Sequence, residues 1–354
     1  MDKVRIAVAG AGYIGRAHMD AALASSSVQL AAIVDPLPSV ASLATQHGIP
    51  HYASLAELFA NEDTASHYGV ILATPNSLHL AHAITCMDAG VPCLLEKPIT
   101  PTVLEAEALL AHQAKTGATM LIGHHRAHSP IMAAARAVID SGKLGKLGKL
   151  VAVMGSALFV KPDHYFEDSP WRRQAGGGPI LINMIHEVHN LRMLCGEITQ
   201  VQALTSHAGR GFAVEDTVAI NLRFSNGALG IFLLSDCAAS ARSWEQTSRE
   251  NATYPSYDDE DCYVISGTHG SLSIPTMHMK SYAQDEDRSW WKPFEVSTVA
   301  AQRSDPIAHQ MEHFAKVVRG EAAPLVSAFD GMQNLLITEA IVQSAKTGQV
   351  IQTG

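Results

Sequence analysis

The first fifteen residues constrain this chain more than any other stretch. Val4-Arg5-Ile6-Ala7-Val8-Ala9 combines β-branched and small apolar residues, as an interior parallel strand does, and runs straight into Gly10-Ala11-Gly12-Tyr13-Ile14-Gly15. The G-x-G-x-x-G spacing lets the chain turn sharply and brings the amides of a helix N-terminus against a pyrophosphate. A second apolar stretch, Leu30-Ala31-Ala32-Ile33-Val34, ends on Asp35. It lies about twenty residues past the last glycine, where a carboxylate grips ribose hydroxyls. Dinucleotide binding follows, through Gly10, Gly12, Tyr13, Ile14, Gly15 and Asp35. Asp35 repels a 2′-phosphate and Pro36-Leu37-Pro38 supplies no cation to hold one, so NAD is expected rather than NADP.

The 354 residues exceed the usual size of a single core, which predicts two domains. With 47% hydrophobic and 17% charged residues and no apolar run of membrane-spanning length, the chain reads as a soluble globular protein with no membrane partner. A net charge of -9 leaves no basic excess for phosphates, which argues against nucleic acid and for a small-molecule substrate. Cys86, Cys93, Cys195, Cys237 and Cys262 are odd in number and scattered, as reduced cytoplasmic thiols are.

Along the chain, strand and helix patterns alternate. Short helices are expected at 39–47 and 54–60, strands at 69–73, 91–95 and 119–123, and helices at 76–90 and 102–117, the last opened by a Thr102/Glu105 capping box. This makes a βαβ series of at least five parallel strands, whose carboxyl ends carry the glycine loop, Asp35, the segment 74–79, Lys97 and the segment 124–126. A linking helix is expected at 130–141. The threefold Gly-Lys-Leu repeat at 142–150 reads as a solvated connection. Strands are then expected at 150–160, 201–207, 217–224, 228–235, 263–266 and 271–274, with a hairpin at Asn226-Gly227, giving a mostly antiparallel sheet. A long helix falls at 178–194 and another at 330–346. The polar, acidic segment 242–261 reads as a long loop over the site or an interface arm.

Two constellations carry chemistry. Lys97, between Glu96 and Pro98 at the end of a buried strand, is either a surface lysine in a turn or a cation that holds a substrate hydroxyl and favours its ionisation. In the helix after Gly176-Gly177-Gly178, Asn183, His186 and His189 stand three apart and share a face, with His186 placed to reach substrate; the alternative is a set of hydrogen-bonded core histidines. No metal is expected, because His186-Glu187-Val188-His189 is one residue short of H-E-x-x-H, and neither it nor His124, His125 and His128 has a convincing third ligand.

Together, the glycine loop, Thr74-Pro75-Asn76 followed by His79, Glu96-Lys97-Pro98, Trp171-Arg172 and the glycine-led helix with His186 resemble the Gfo/Idh/MocA oxidoreductase family over essentially the whole chain. The resemblance implies a doubly wound Rossmann domain, placed at 1–124, and an α+β substrate and oligomerisation domain with an open, mostly antiparallel sheet at 125–354. Helix 330–346 is a candidate to pack back on the first. It further implies that Thr74, Pro75, Asn76, His79, Glu96, Lys97, Trp171 and Arg172 line the cofactor, that Lys97 contacts substrate, and that His186 is the acid/base. Two positions depart from the pattern: Ile182 and His189 stand where the family commonly has aspartates. Asn183, one residue from the first, is the nearest substitute.

The expected activity is NAD-dependent transfer of a hydride between nicotinamide and a secondary alcohol or ketone of a sugar, sugar acid or cyclitol. The alternatives are dehydrogenation of a cyclic diol and a NAD-binding regulator without turnover. His125, Arg126, His164, Tyr165, Arg172 and Arg173 join Lys97, Asn183 and His186 as candidates for the substrate pocket. Alternating Leu229, Ile231 and Leu233 predict a sheet face that must be covered, hence a homodimer or homotetramer.

Overall fold

A computed structural model describes residues 2–145 and 149–354. Its contacts divide the chain into two compact units, Met1–His128 with Pro306–Leu335 and Ser129–Asp305 with Leu336–Gly354.

The first unit is built on six parallel strands: β1 (Val4–Ala9), β2 (Val28–Val34), β3 (His51–Tyr52), β4 (Tyr68–Leu72), β5 (Cys93–Glu96) and β6 (Met120–Gly123), in the order β3-β2-β1-β4-β5-β6. The strand order reverses at β1, which puts a crevice at its carboxyl end, where the glycine loop begins. Helices α1 (Tyr13–Ala24), α2 (Ala41–His47), α3 (Leu55–Asn61), α4 (His79–Asp88) and α5 (Val103–Thr116) connect the strands. Ile6, Ala7, Val8, Ile71 and Leu94 are fully buried, as strands covered on both faces require. Thr102 caps α5 by accepting the Glu105 N–H, as the capping box predicts.

The second unit carries a nine-stranded sheet. Its strands are β7 (Leu150–Leu158), β8 (Ile198–Ser206), β9 (Thr217–Phe224), β10 (Leu229–Ser235), β11 (Tyr263–Gly267), β12 (Gly270–Ile274), β13 (His278–Ser281), β14 (Glu295–Thr298) and β15 (Ile351–Gln352), in the order β14-β13-β12-β11-β7-β10-β9-β8-β15. All its pairs are antiparallel except β10 with β7. Helices α6 (Pro130–Asp140) and α8 (Ile185–Cys195) supply Ile131, Ala135, Val188 and Leu191 to the core on one face, and the shorter α7 (Asp163–Glu167) and α9 (Trp244–Thr247) lie in connections. On β10 the alternate residues Leu229, Ile231 and Leu233 stay exposed. Part of the Gly-Lys-Leu repeat, 146–148, lies outside the described residues.

Three features depart from the sequence reading. The first unit also takes in α10 (Pro306–Val318), a helix absent from the sequence reading in a stretch assigned there to the second domain, and the first part of α11 (Ala328–Thr347), the helix given above as a candidate to pack back on the first. Gly69 on β4 explains the former: its bare Cα leaves room for Phe314 and Val318. Strands β13 and β14 were also missed, because a polar strand such as β14, exposed at every residue, has no apolar alternation to read. Finally, 242–261 is not simply a loop. Trp244 is 3% exposed inside the core, its indole N–H donates to Glu250 Oε2 at 2.8 Å, and Ser129 Oγ donates to the other oxygen of the same carboxylate. One large aromatic outweighs the polarity of its neighbours.

Replacing Trp244 with Ala is expected to cost about 3–5 kcal/mol, through the cavity and the donor lost from Glu250. Denaturant unfolding reads the loss, and a change within about 0.5 kcal/mol, the range of an ordinary surface substitution, would contradict the anchoring.

Candidate active site

At the glycine loop each glycine answers a different demand. Gly10 has φ +93°, and a Cβ there would stand 2.4 Å from the Ala73 carbonyl oxygen. At Gly15 a Cβ would come within 1.9 Å of the Gly10 carbonyl oxygen, so α1 packs directly on the loop. Gly12 faces open space, with no atom within 4 Å of the Cβ position, and it begins α1 with no side chain capping the first amides. Those amides and the open approach suit a phosphate-bearing ligand. Tyr13 is exposed and Ile14 half-buried beside them. Asp35, almost buried at the end of β2, accepts the Ala11 N–H at one carboxylate oxygen and the Leu37 N–H at the other, each at 2.9 Å. A carboxylate held this way against the glycine turn fits the ribose end of NAD.

Beyond β4, Thr74 is half-buried and Pro75 and Asn76 are exposed. His79 corrects the sequence reading, because it is fully buried and has no surface with which to line a cofactor. Its ring sits between two carbonyl oxygens, Nδ1 at 2.7 Å from Pro98 and Nε2 at 2.9 Å from Thr74. Burial pushes its pKa down against the pull of those carbonyls. His79 therefore ties the Thr74 loop to the Lys97 loop.

Glu96 is likewise tied into buried polar contacts. It is buried, with Oε1 2.8 Å from His18 Nε2 and Oε2 accepting the Lys97 N–H at 3.2 Å. Burial pushes its carboxyl up, but the hydrogen bond and charge of His18, with the charges of His125 and Lys97, outweigh it and hold the group below its ordinary range. Lys97 is half-buried, its bond to Pro98 is cis, and buried polar contacts flank it on both sides. His18 escaped the sequence reading, although its helical spacing from Gly15 and Ala22 put it on the buried face of α1. In the turn His125–His128 after β6, His125 is half-buried and Arg126 buried.

In the second unit, Tyr165 lies on α7, and Arg172 donates to its carbonyl oxygen at 2.6 Å while its guanidinium carbon stands 3.7 Å from the phenol ring centre. Trp171 is exposed, Arg173 half-buried and His164 exposed. Gly178 (φ +85°) leaves space for Glu215, whose carboxylate accepts the Ile180 N–H at 3.1 Å and caps the following helix. Burial pushes Glu215 up, opposed by that amide.

The helix itself opens with a π turn, Ile180–Met184, before α8. The expectation of one straight α-helical face through Asn183, His186 and His189 is therefore corrected: the wider turn ends after Asn183, and only His186 and His189 keep α spacing. His186 is half-buried and His189 buried. Asn183 Oδ1 accepts from Lys161 Nζ at 2.8 Å. Lys161 was not singled out from the sequence, where a lysine before Pro162 carries no motif.

Fold and loop together define a dinucleotide-binding protein with a separate α+β unit. The chain belongs to the Gfo/Idh/MocA oxidoreductase family: residues 4–124 match the model of the oxidoreductase family with NAD-binding Rossmann fold, and residues 132–273 match the GFO/IDH/MocA C-terminal domain. It is similar to 1,5-anhydro-D-fructose reductase of Ensifer adhaerens (26% identical over 328 residues, 89% of this chain and 88% of that one). It is also similar to scyllo-inositol 2-dehydrogenase (NAD(+)) of Bacillus subtilis (26% over 360 residues, 99% and 96%). Among solved structures, an oxidoreductase from Agrobacterium radiobacter in complex with NAD+, L-tartaric acid and magnesium superposes with TM-score 0.80 at 21% identity, covering 100% of this chain and 99% of the other. That likeness concerns the fold alone. No helix among the described residues is long and apolar enough to cross a membrane.

Because the folded-state pKa of Glu96 lies below its unfolded value, its contribution to stability is complete above the unfolded value and is lost as pH falls through the folded one, on the acidic side of 4.5. His18→Phe removes the hydrogen bond that holds the pKa down. It is expected to cost roughly 1–3 kcal/mol at neutral pH and to start acid unfolding at a higher pH than in the parent. An unchanged acid midpoint would contradict the coupling.

Proposed function

We propose that the chain transfers a hydride between NAD and a secondary alcohol or ketone of a sugar, sugar acid or cyclitol. The observation that carries this reading is the seating of Asp35 against a glycine loop whose outer position, Gly12, is left open. A loop kept only for helix packing needs Gly10 and Gly15 but not the clear approach at Gly12. The relatives named above act, by their names, on polyhydroxylated rings, which supports the substrate class.

A bound nicotinamide would supply the acceptor or donor of the hydride. Amides at the start of α1 take the pyrophosphate, Asp35 takes the adenosine ribose, and Thr74, Pro75 and Asn76 border the cofactor, as Trp171 and Arg172 do by the family pattern. In the oxidative direction His186 takes the hydroxyl proton at an imidazole nitrogen, and the Lys97 ammonium stabilises the oxygen as negative charge develops on it. Asn183 orients substrate without taking a proton. His79 and Glu96 act through Lys97, by fixing the loops on either side of it. A NAD-binding regulator is the second reading, favoured by Ile182 in place of a carboxylate.

A panel of sugars, sugar acids, inositols and cyclic diols, followed by NADH absorbance, is expected to yield a substrate; binding of NAD with no turnover across the panel would favour the regulator. Lys97→Ala and His186→Ala are expected to lower kcat about a hundredfold or more with NAD affinity nearly unchanged, and Asn183→Ala to cost less. Near-full activity in His186→Ala would move the base elsewhere. NADP should bind at least about tenfold more weakly than NAD in calorimetry; equal affinity would overturn the role given to Asp35.

The second unit is also proposed to assemble copies of the chain through its sheet, because Leu229, Ile231 and Leu233 are 53%, 55% and 42% exposed along one face of β10. Light scattering at micromolar concentration is expected to give a dimer or tetramer, with Ile231→Lys shifting it to smaller species. A monomeric parent protein would refute this.

A further inference from the structure

Three buried polar side chains of the second unit meet at one hydroxyl. Tyr263, on β11, donates its O–H to Glu187 Oε2, and its oxygen accepts from Asn190 Nδ2 at 3.0 Å. Tyr263, Glu187 and Asn190 are 1%, 2% and 0% exposed, so the group forms out of contact with water. A phenol has one proton and a carboxylate can only accept it, which sends the O–H to Glu187 and turns the NH2 end of Asn190 to the phenol oxygen. Both contacts therefore have a defined direction. The ring that carries the hydroxyl is itself held by aromatic neighbours, its centre 6.4 Å from that of Phe232 and 6.1 Å from that of Trp244.

Glu187 and Asn190 stand three residues apart on α8, so they share one side of the helix and a single hydroxyl on the sheet holds both. His186 immediately precedes Glu187 and is half-buried. The stretch before α8 is the π turn Ile180–Met184, whose wider winding does not fix the phase of the α-helix that follows. Contacts further along must set how α8 is rotated about its axis. Val188 and Leu191 pack into the core, but apolar contacts tolerate a small rotation, whereas hydrogen bonds weaken as their angle departs from linear. With side chains reaching about 5–6 Å from the axis, a rotation of roughly 10° carries a side-chain tip about 1 Å. A displacement of about 1 Å in a reacting group can cost about a hundredfold in rate.

From this geometry we infer that Tyr263 is a positioning residue: through Glu187 and Asn190 it fixes the rotation of α8, and with it the direction in which His186 presents its imidazole. For its consequence in the reaction, the inference rests on the reading of His186 as the acid/base. Tyr263 exchanges no proton with substrate in this role. Its hydroxyl acts only by tying two side chains of the helix to one point on the sheet.

Two readouts test this, one of them independent of turnover. The His186 imidazole, isotope-labelled and assigned by comparison with His186→Gln, is titrated by NMR in the full chain. Tyr263→Phe keeps the ring and removes only the hydroxyl. It is expected to move the His186 midpoint by about half a pH unit or more and, on a compound that the panel shows to be turned over, to lower kcat about tenfold with KM within about threefold of the parent. Glu187→Gln, whose amide oxygen still accepts the Tyr263 proton, should keep kcat within about threefold, whereas Glu187→Ala should match Tyr263→Phe. The double variant Tyr263→Phe/Glu187→Ala should be no slower than either single one, because both break the same contact. Leu272→Ala, in the core of the same sheet, is the control for general loosening and is expected to lower Tm while leaving kcat and the His186 titration unchanged. A folded Tyr263→Phe protein with a lower Tm but parental kcat and a parental His186 titration overturns the inference. So does a Glu187→Gln protein as slow as Glu187→Ala, a comparison that decides the matter even where Tyr263→Phe does not fold. A shifted His186 titration in Tyr263→Phe together with full turnover in His186→Ala would instead sustain the clamp and count against the acid/base reading.

Discussion

The arrangement around Lys97 depends on hydrogen bonds made out of contact with water. His79 lies between the carbonyls of Thr74 and Pro98 and, as a neutral ring, donates its one N–H to one of them, while Glu96 accepts from the amide of Lys97 and is hydrogen-bonded to His18. Each is a buried polar contact whose loss exposes a partner to an unsatisfied state, and such contacts define one geometry far more sharply than apolar packing does. The two loops following β4 and β5 are thereby held to each other and to α1. A lysine on a free turn would sample many positions; here the backbone on both sides of it is tied down, while the side chain keeps partial access to solvent.

The second unit uses polarity in a different way. Its helix begins with a capped π turn that carries Asn183, whose amide oxygen accepts from Lys161. Glu215 satisfies the first amide of that helix at the cost of its own desolvation, and Gly178 is small enough to let it approach. Here the wide turn, the glycine and the buried acid form one device, since removing the glycine would push the cap away. The same unit exposes one apolar face of its sheet while helices cover the other, so its two faces serve different ends.

Much of this was legible in order along the chain. The glycine loop, Asp35, the Thr102/Glu105 cap and the alternation of β9 and β10 are local patterns, each contained within a few residues, and local patterns need only backbone geometry and burial to be read. The roles of His79 and Glu96 were not. In the sequence they sit inside motifs expected to line the cofactor, and only their zero or near-zero exposure separates them from their neighbours. Trp244 hid in a polar stretch, and Lys161 hid next to a proline with no recurring spacing.

By itself, then, the sequence determined the parallel sheet, the phosphate-binding turn, the acid at the end of β2 and the open antiparallel sheet, because these follow from periodicity, glycine spacing and alternation within short windows. Tertiary structure alone decided which polar residues are tied to each other: His18 with Glu96 across 78 positions, His79 with Pro98, Lys161 with Asn183, and α10 with β4 across the length of the chain. The physical reason is that a hydrogen bond between distant residues leaves no trace in spacing. Its donor and acceptor are chosen by burial and by the geometry of closure, and neither exists until the chain has folded.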